Sequence, residues 1–204
     1  HRVAIAAVHV TVRGMVEVLE RGDVSFFWKP SVIAADALPG EAKHGVQSFF
    51  IILSSGGKHR RLRVGKKRLP ARAGERLWAR IERTGSLARV LGDQVESERY
   101  VTKTRGARLQ PGAEMIARGC YAFVQHDDHC HFVYRVEDTE PGVPEEVRVP
   151  EAGSHILLFK RVPPGKAIWT TAGSPTLLDE AGAQCVLVGA DEEPEALGVD
   201  LLAA

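Results

Sequence analysis

The chain has 204 residues, of which 44% are hydrophobic and 26% are charged, and its formal net charge is +1 at pH 7. This composition is ordinary for a soluble protein that buries a substantial core. The longest uncharged apolar runs, residues 3–8 and 49–53, are far shorter than the about 20 residues needed to span a bilayer, so no membrane partner is expected.

The near-zero net charge hides a strong segregation of charges along the chain. Residues 56–118 hold 17 Lys and Arg but six Asp and Glu, a balance of +11. Residues 119–204 hold five basic and fifteen acidic residues, a balance of −10, and the first 55 residues carry five of each sign. A basic segment of this kind favours a polyanion, an acidic partner or neutralisation by the chain's own acidic half.

Strands dominate the predicted elements. Residues 24–28 and 77–81 place apolar side chains at every second position, which is typical of half-buried strands. Residues 3–12 and 46–53 are apolar on both faces, which predicts central strands that are covered on each side.

Helical signals are few. Ser86 is placed to cap a short helix in which Leu87, Val90, Leu91 and Val95 recur at helical spacing, and residues 176–183 predict a second short helix. The predicted fold is therefore mainly β, all-β or α+β with few short helices, built from antiparallel sheets in a sandwich or barrel-like arrangement.

One domain over residues 1–204 is expected from the length, with two small β subdomains divided near residue 110 as the alternative. The acidic segment 191–204 is the candidate for a mobile tail.

The basic segment predicts a surface for an anionic partner. A strand over residues 59–64 is expected to point its basic side chains outward, and a turn at residues 65–67 follows it. On the next strand Arg76, Trp78 and Arg80 share one face, where the indole ring can stack a base while guanidinium groups bind phosphates. Lys103 and Arg105 share a face of a predicted strand over residues 100–105.

The first functional hypothesis is a β-rich binding protein that engages nucleic acid, or else an acidic protein surface, through residues 58–108. No known nucleic-acid-binding motif accompanies this electrostatic signal. The alternative interpretation is a solvated strand face, or a structural protein whose basic and acidic parts neutralise each other within the chain or between subunits of a homo-oligomer. The predicted contact residues are Arg60, Arg61, Arg63, Lys66, Lys67, Arg68, Arg76, Trp78, Arg80, Lys103 and Arg105.

A histidine-rich hairpin is the second functional signal. Residues 121–125 and 130–135 predict two strands, and a two-residue turn at Asp127 and Asp128 pairs residue 126 with 129, 124 with 131 and 123 with 132. This register separates two sets of side chains onto opposite faces: the aromatic rings of Tyr121, Phe123, Phe132 and Tyr134, and the imidazoles of His126, His129 and His131.

Clustered neutral imidazoles are ligands for Zn²⁺ and other divalent first-row ions, and three of them leave a coordination position open for water. The hypothesis from a different class is therefore a metal-dependent, hydrolase-type enzyme with His126, His129, His131 and Asp128 as ligands, and with Asp127 as a neighbouring carboxylate. The spacing H-x-x-H-x-H on a hairpin is not an established metal motif, and the structural alternative is two histidines that flank a turn and one partly buried in a strand.

Three cysteines, Cys120, Cys130 and Cys185, occur at irregular spacing. An odd number argues against a disulfide framework and favours a reducing compartment, so a cytoplasmic location is expected. In the hairpin register Cys120 and Cys130 lie on opposite faces, which predicts small apolar fillers rather than a metal or redox pair.

Overall fold

The computed structural model describes residues 16–37, 45–161, 166–171, 173–191, 194 and 197–201. In these residues the chain forms strands and one short α-helix, α1, over Leu87–Leu91. The strands are β1 Val16–Pro30, β2 Ile33–Ala34, β3 Val46–Ser55, β4 Lys58–Val64, β5 Arg76–Gly85, β6 Glu98–Thr102, β7 Gly106–Gln110, β8 Glu114–His126, β9 His129–Thr139, β10 Ala152–Arg161, β11 Ile168–Thr170 and β12 Gln184–Gly189.

Eight of these strands close into an antiparallel barrel. Strands β1, β3, β4 and β5 form one meander, and β8, β9, β10 and β12 form a second. Two seams, β1 with β8 and β5 with β12, join the meanders into a closed cylinder. The predicted antiparallel, barrel-like architecture is confirmed, and strands on both sides of residue 110 share the barrel.

The remaining strands are peripheral to the barrel. Strand β11 pairs with the C-terminal end of β10, and β2, β7 and β6 form a separate three-stranded sheet. Short 3₁₀ helices follow α1 and lie in two later connections, over Gly92–Gln94, Glu145–Val147 and Pro175–Leu178.

The barrel interior is filled by the apolar side chains that alternate along each strand. Because successive residues of a strand point to opposite faces, every second side chain enters the core. Aromatic residues make up much of it, and the largest fully buried side chains include Trp28, Phe26, Phe49, Phe123, Phe132 and Phe159.

Strand β3 is buried on both faces, as its continuous apolar run predicts. Helix α1 covers the outer face, where Val90 packs against Phe50 and Ile52. The helix begins as expected, since the Ser86 hydroxyl accepts a hydrogen bond from the backbone N–H of Arg89.

Two predicted elements are wrong. Strand β6 ends at Thr102, so Lys103 and Arg105 lie in a turn, because the Thr102 hydroxyl accepts the Arg105 N–H at 3.0 Å and closes the chain locally. The predicted helix over residues 176–183 is a single 3₁₀ turn, Pro175–Leu178. The predicted strand over residues 3–12 lies outside the described residues.

Part of the acidic C-terminal segment packs against the outside of the barrel. Leu197, Val199 and Leu201 are buried against a small apolar cluster on β8 and β9 that includes Val124 and Val133. In the described part of the chain, no helix has both the length and the apolar character needed to cross a membrane.

Candidate metal centre

The histidine hairpin has the predicted register. A turn at Asp127 and Asp128 connects β8 to β9, and residue 126 pairs with 129, 124 with 131, 123 with 132 and 121 with 134. Asp127 takes a positive φ of 53°, a conformation that aspartate tolerates better than most residues.

The two faces of the hairpin differ as expected. Tyr121, Phe123, Phe132 and Tyr134 are each 1% exposed and lie in the barrel core. The three histidines lie on the outer face, where His126 and His129 are partly exposed. Exposure to solvent is thus found for these two histidines but not for His131, which is fully buried.

The three imidazoles converge near the turn. One ring nitrogen from each of His126, His129 and His131 lies within 4.8 Å of the others. The ring centroids of His129 and His131 are 4.8 Å apart, and that of His126 is 5.4 Å from His129 and 5.9 Å from His131. This group is close enough to hold a metal ion.

Hydrogen bonds orient two of the rings. Nδ1 of His131 lies 2.9 Å from the hydroxyl oxygen of Ser154, and Nδ1 of His129 lies 2.9 Å from a carboxylate oxygen of Asp128. An imidazole that donates Nδ1–H in this way presents Nε2 as a lone-pair donor. Because a carboxylate can only accept, the bond to Asp128 gives His129 this tautomer. The bond to Ser154 holds the His131 ring in place through Nδ1.

The carboxylates lie beside the histidines. Asp128 bonds to His129, and Asp127 places a carboxylate oxygen 3.8 Å from Nε2 of His126. Among the described residues, the buried Nδ1 of His126 has no hydrogen-bond partner. Asp128, predicted as a ligand, thus occupies an orienting position next to the cluster.

The predicted solvent-facing position of the basic side chains of β4 is wrong for two residues, one that points inward and one that is covered. Arg60 and Arg61 are each 4% exposed. Arg60 points into the barrel end, where it pairs with Glu20 and Asp179. Burial lowers the pKa of Arg60, but its hydrogen bonds to these two carboxylates outweigh burial and raise that pKa.

Arg61 points outward but is covered by α1. Its guanidinium donates to the backbone oxygens of Val90 and Leu91 at 2.7 and 3.2 Å. Arg61 is therefore not part of a solvent-facing surface.

Three further predicted contact residues are engaged by other groups of the chain. Arg63 pairs with Glu82 at 2.5 Å and Arg68 with Glu75 at 2.6 Å, and Lys67 donates to the backbone oxygen of Val46. Both carboxylates, Glu82 and Glu75, belong to the basic segment 56–118 rather than to the acidic half of the chain.

Several predicted contacts do remain exposed. Lys103 and Arg105 lie in the β6–β7 turn, away from the others in sequence and sheet. Among the predicted contacts around the β4–β5 turn and on the outer face of β5, Lys66, Arg76, Trp78 and Arg80 are exposed, and so is most of Lys67 apart from its amine contact with Val46.

Two residues that matter for these surfaces were not predicted from the sequence. The first is Trp169 of β11, which contacts Trp78; the apolar and β-branched residues 168–171 are typical of a strand and could have indicated β11. Ser154 reaches His131 only because β10 pairs with β9, and no local pattern indicates that pairing.

No protein-family model, curated protein or solved structure matches the chain. Its function must therefore be inferred from its own residues.

Proposed function

We propose that the protein binds a divalent transition-metal ion, best suited to Zn²⁺, through His126, His129 and His131. The observation that carries the proposal is the convergence of three ring nitrogens within 4.8 Å, two of them on rings oriented through Nδ1. Such hydrogen bonds behind the ligands accompany metal-binding histidines in general.

Small movements complete the site. Zinc–nitrogen bonds of about 2.0–2.1 Å in a tetrahedral arrangement place ligand nitrogens roughly 3.3 Å apart, so the ring nitrogens, which lie within 4.8 Å of one another, must approach by up to about 1.5 Å. His126 and His129 flank the turn and are partly exposed, so their side chains can rotate toward the buried His131. The carboxylates of Asp127 and Asp128 offset the charge of a dication.

Three protein ligands leave one position on the ion for water or a substrate. This is the arrangement of catalytic zinc sites, in which the ion lowers the pKa of bound water and polarises a substrate oxygen. Metal-dependent hydrolysis is accordingly the enzymatic activity that this site supports best.

Metal binding is tested on untagged protein stripped with a chelator and then titrated with Zn²⁺ and Co²⁺. We expect one equivalent of either ion, and a visible cobalt spectrum of a four-coordinate site. The variants His126→Ala, His129→Ala and His131→Ala should lose stoichiometric binding. Ser154→Ala should bind about 10–100-fold more weakly, because the orienting bond to His131 is lost.

His59→Ala is the matched control, since His59 lies on β4, three strands away from β8 in the barrel, and should bind like the wild type. Circular dichroism of each variant establishes that it is folded. Absence of stoichiometric uptake by the wild type, or unchanged uptake by folded His129→Ala, would overturn the proposal.

A further inference from the structure

The outer barrel face carries an exposed pair of tryptophans. Trp78 on β5 is 61% exposed and meets Trp169 of β11 edge to face, with ring centroids 5.0 Å apart. The third tryptophan, Trp28, is fully buried in the core. Two indoles that share a solvent-facing contact form an apolar platform, and exposed aromatic surface of this kind marks binding sites.

Cationic side chains surround this pair. Arg76 and Arg80 flank Trp78 on the same face of β5. Lys160 is the cross-strand partner of Trp169, and its amine donates to the Gln184 side chain at 2.8 Å. Gln184 is in turn the cross-strand partner of Arg80, so these positions form one continuous patch.

The arginines of the platform have little local neutralisation. Arg80 has a 61% exposed side chain and lies 3.8 Å from Glu82, but that carboxylate already holds Arg61 and Arg63 at shorter distances. Arg76 is exposed and has no ion pair among the described residues. Unlike the arginines of β4, these two are available to an external anion.

A shallow groove of about 250 Å³ runs beside Trp78, lined by Arg63, Gly65, Ala79, Arg80 and Gln184. The Gly65 N–H donates to the Trp78 carbonyl at 2.8 Å, so the β4–β5 turn bearing Lys66 forms one wall. An aromatic platform rimmed by cations in an open groove matches a chain of alternating flat bases and phosphates.

We infer that this platform, defined by Arg76, Trp78, Arg80, Lys160 and Trp169, binds single-stranded nucleic acid. Trp78 and Trp169 stack on bases, and the three cations contact phosphates. Stacking requires unpaired bases, so a single strand binds in preference to a duplex.

The platform and the histidine cluster share the outer barrel surface. On β10, Ile156 pairs with His131 and Lys160 pairs with Trp169. Position 160 lies four residues along the strand from position 156, a distance of about 13 Å. The inference does not depend on the metal, and its test is therefore made with metal-free protein.

The test is fluorescence anisotropy with labelled oligo-dT and oligo-rU of about 12 nucleotides, within the usual length of a barrel-face site. We expect binding at low salt, with a slope of log K against log salt of about −2 for three phosphate contacts. Trp78→Ala should weaken binding about ten-fold with the slope unchanged. Arg80→Gln should reduce the magnitude of the slope by about 0.7.

The matched control is Lys103→Gln, which removes an exposed cation off the platform and should bind like the wild type. Thermal unfolding of each variant establishes that it is folded, and the exposure of Trp78 and Arg80 makes them tolerant sites. Absent binding at low salt, wild-type affinity of Trp78→Ala, or equal affinity for duplex DNA or a heparin fragment of matched charge would overturn the inference.

Discussion

Phe123 and Phe132 lie opposite each other across the hairpin, inside the barrel, with ring centroids 5.8 Å apart. The histidines of the same strands, His126 on β8 and His129 and His131 on β9, point the other way. A shift of one residue in either strand would exchange rings and imidazoles between core and surface, so the aromatic pairs fix the register that brings the histidines together.

Replacing Phe123 with Ala should lower the free energy of unfolding by about 3–5 kcal/mol, because it truncates a fully buried ring in a packed core. His129→Ala should cost less than about 1 kcal/mol in metal-free protein, because its ring is partly exposed. Urea unfolding in the presence of a chelator measures both. Equal losses would contradict the assignment of the two faces.

His155 is a buried residue with a different role. Its ring stacks on Phe132 inside the barrel, at a centroid distance of 6.3 Å, and neither ring nitrogen has a hydrogen-bond partner among the described residues. Burial, together with the neighbouring His131, lowers the pKa of His155 to about 4. The folded barrel therefore holds this imidazole neutral.

A pH dependence follows from this difference. Between the ordinary histidine pKa of 6.5 and about 4, the unfolded chain binds a proton at residue 155 more readily than the folded chain. The free energy of unfolding is therefore highest, as far as His155 is concerned, above pH 6.5, and it falls as the pH drops toward 4, by up to about 3 kcal/mol. His155→Leu should show a shallower fall in urea titrations of metal-free protein. An identical pH profile for variant and wild type would refute this account.

At the scale of elements, α1 depends on β4 for its C-terminal end. A helix of five residues has too few internal hydrogen bonds to persist alone. Arg61 supplies donors to two of its last carbonyl groups, and Val90 anchors the helix on β3.

Arg61→Leu should lower the free energy of unfolding by about 1–3 kcal/mol, because it leaves two helix carbonyls and the Glu82 carboxylate without this partner. Hydrogen exchange at the Val90 amide should accelerate, since that N–H bonds to Ser86 within the helix. Arg72→Leu, at an exposed loop position, serves as the control. Unchanged exchange at Val90 in the Arg61 variant would contradict the role of the arginine.

Some features of these elements can be predicted from the sequence and others cannot. Strand alternation, the double-sided burial of β3 and the hairpin register follow from local periodicity and turn residues. The burial of Arg60 and Arg61 does not, because their partners come from Glu20, Asp179 and α1, far along the chain. The same holds for the candidate site. The positions of the three histidines can be predicted from one turn, whereas that of Ser154 cannot, because the pairing of β10 with β9 brings it to them.

At the scale of the molecule, the barrel is two four-stranded meanders joined along two seams. The seams pair strands that are about a hundred residues apart, and an ion pair outside the seams also joins the two meanders. Arg60 of the first meander meets Asp179 of the connection that precedes β12. The segregation of charge along the sequence thus corresponds to two halves of one cylinder.

Because the barrel consists of two meanders that follow each other in the chain, we expect that the protein can be cut into two fragments that reassemble. A cut in the exposed β6–β7 turn separates residues 1–104, with 19 basic and 10 acidic residues, from residues 105–204, with 8 and 16. Each fragment keeps its own meander, and net charges of +9 and −8 draw them together at a rate that falls with added salt. Coexpressed fragments should therefore reassemble and copurify as a one-to-one complex with the circular dichroism of the intact barrel. Such a complementing pair would allow the histidine hairpin and the tryptophan platform to be altered on separate chains and combined at will.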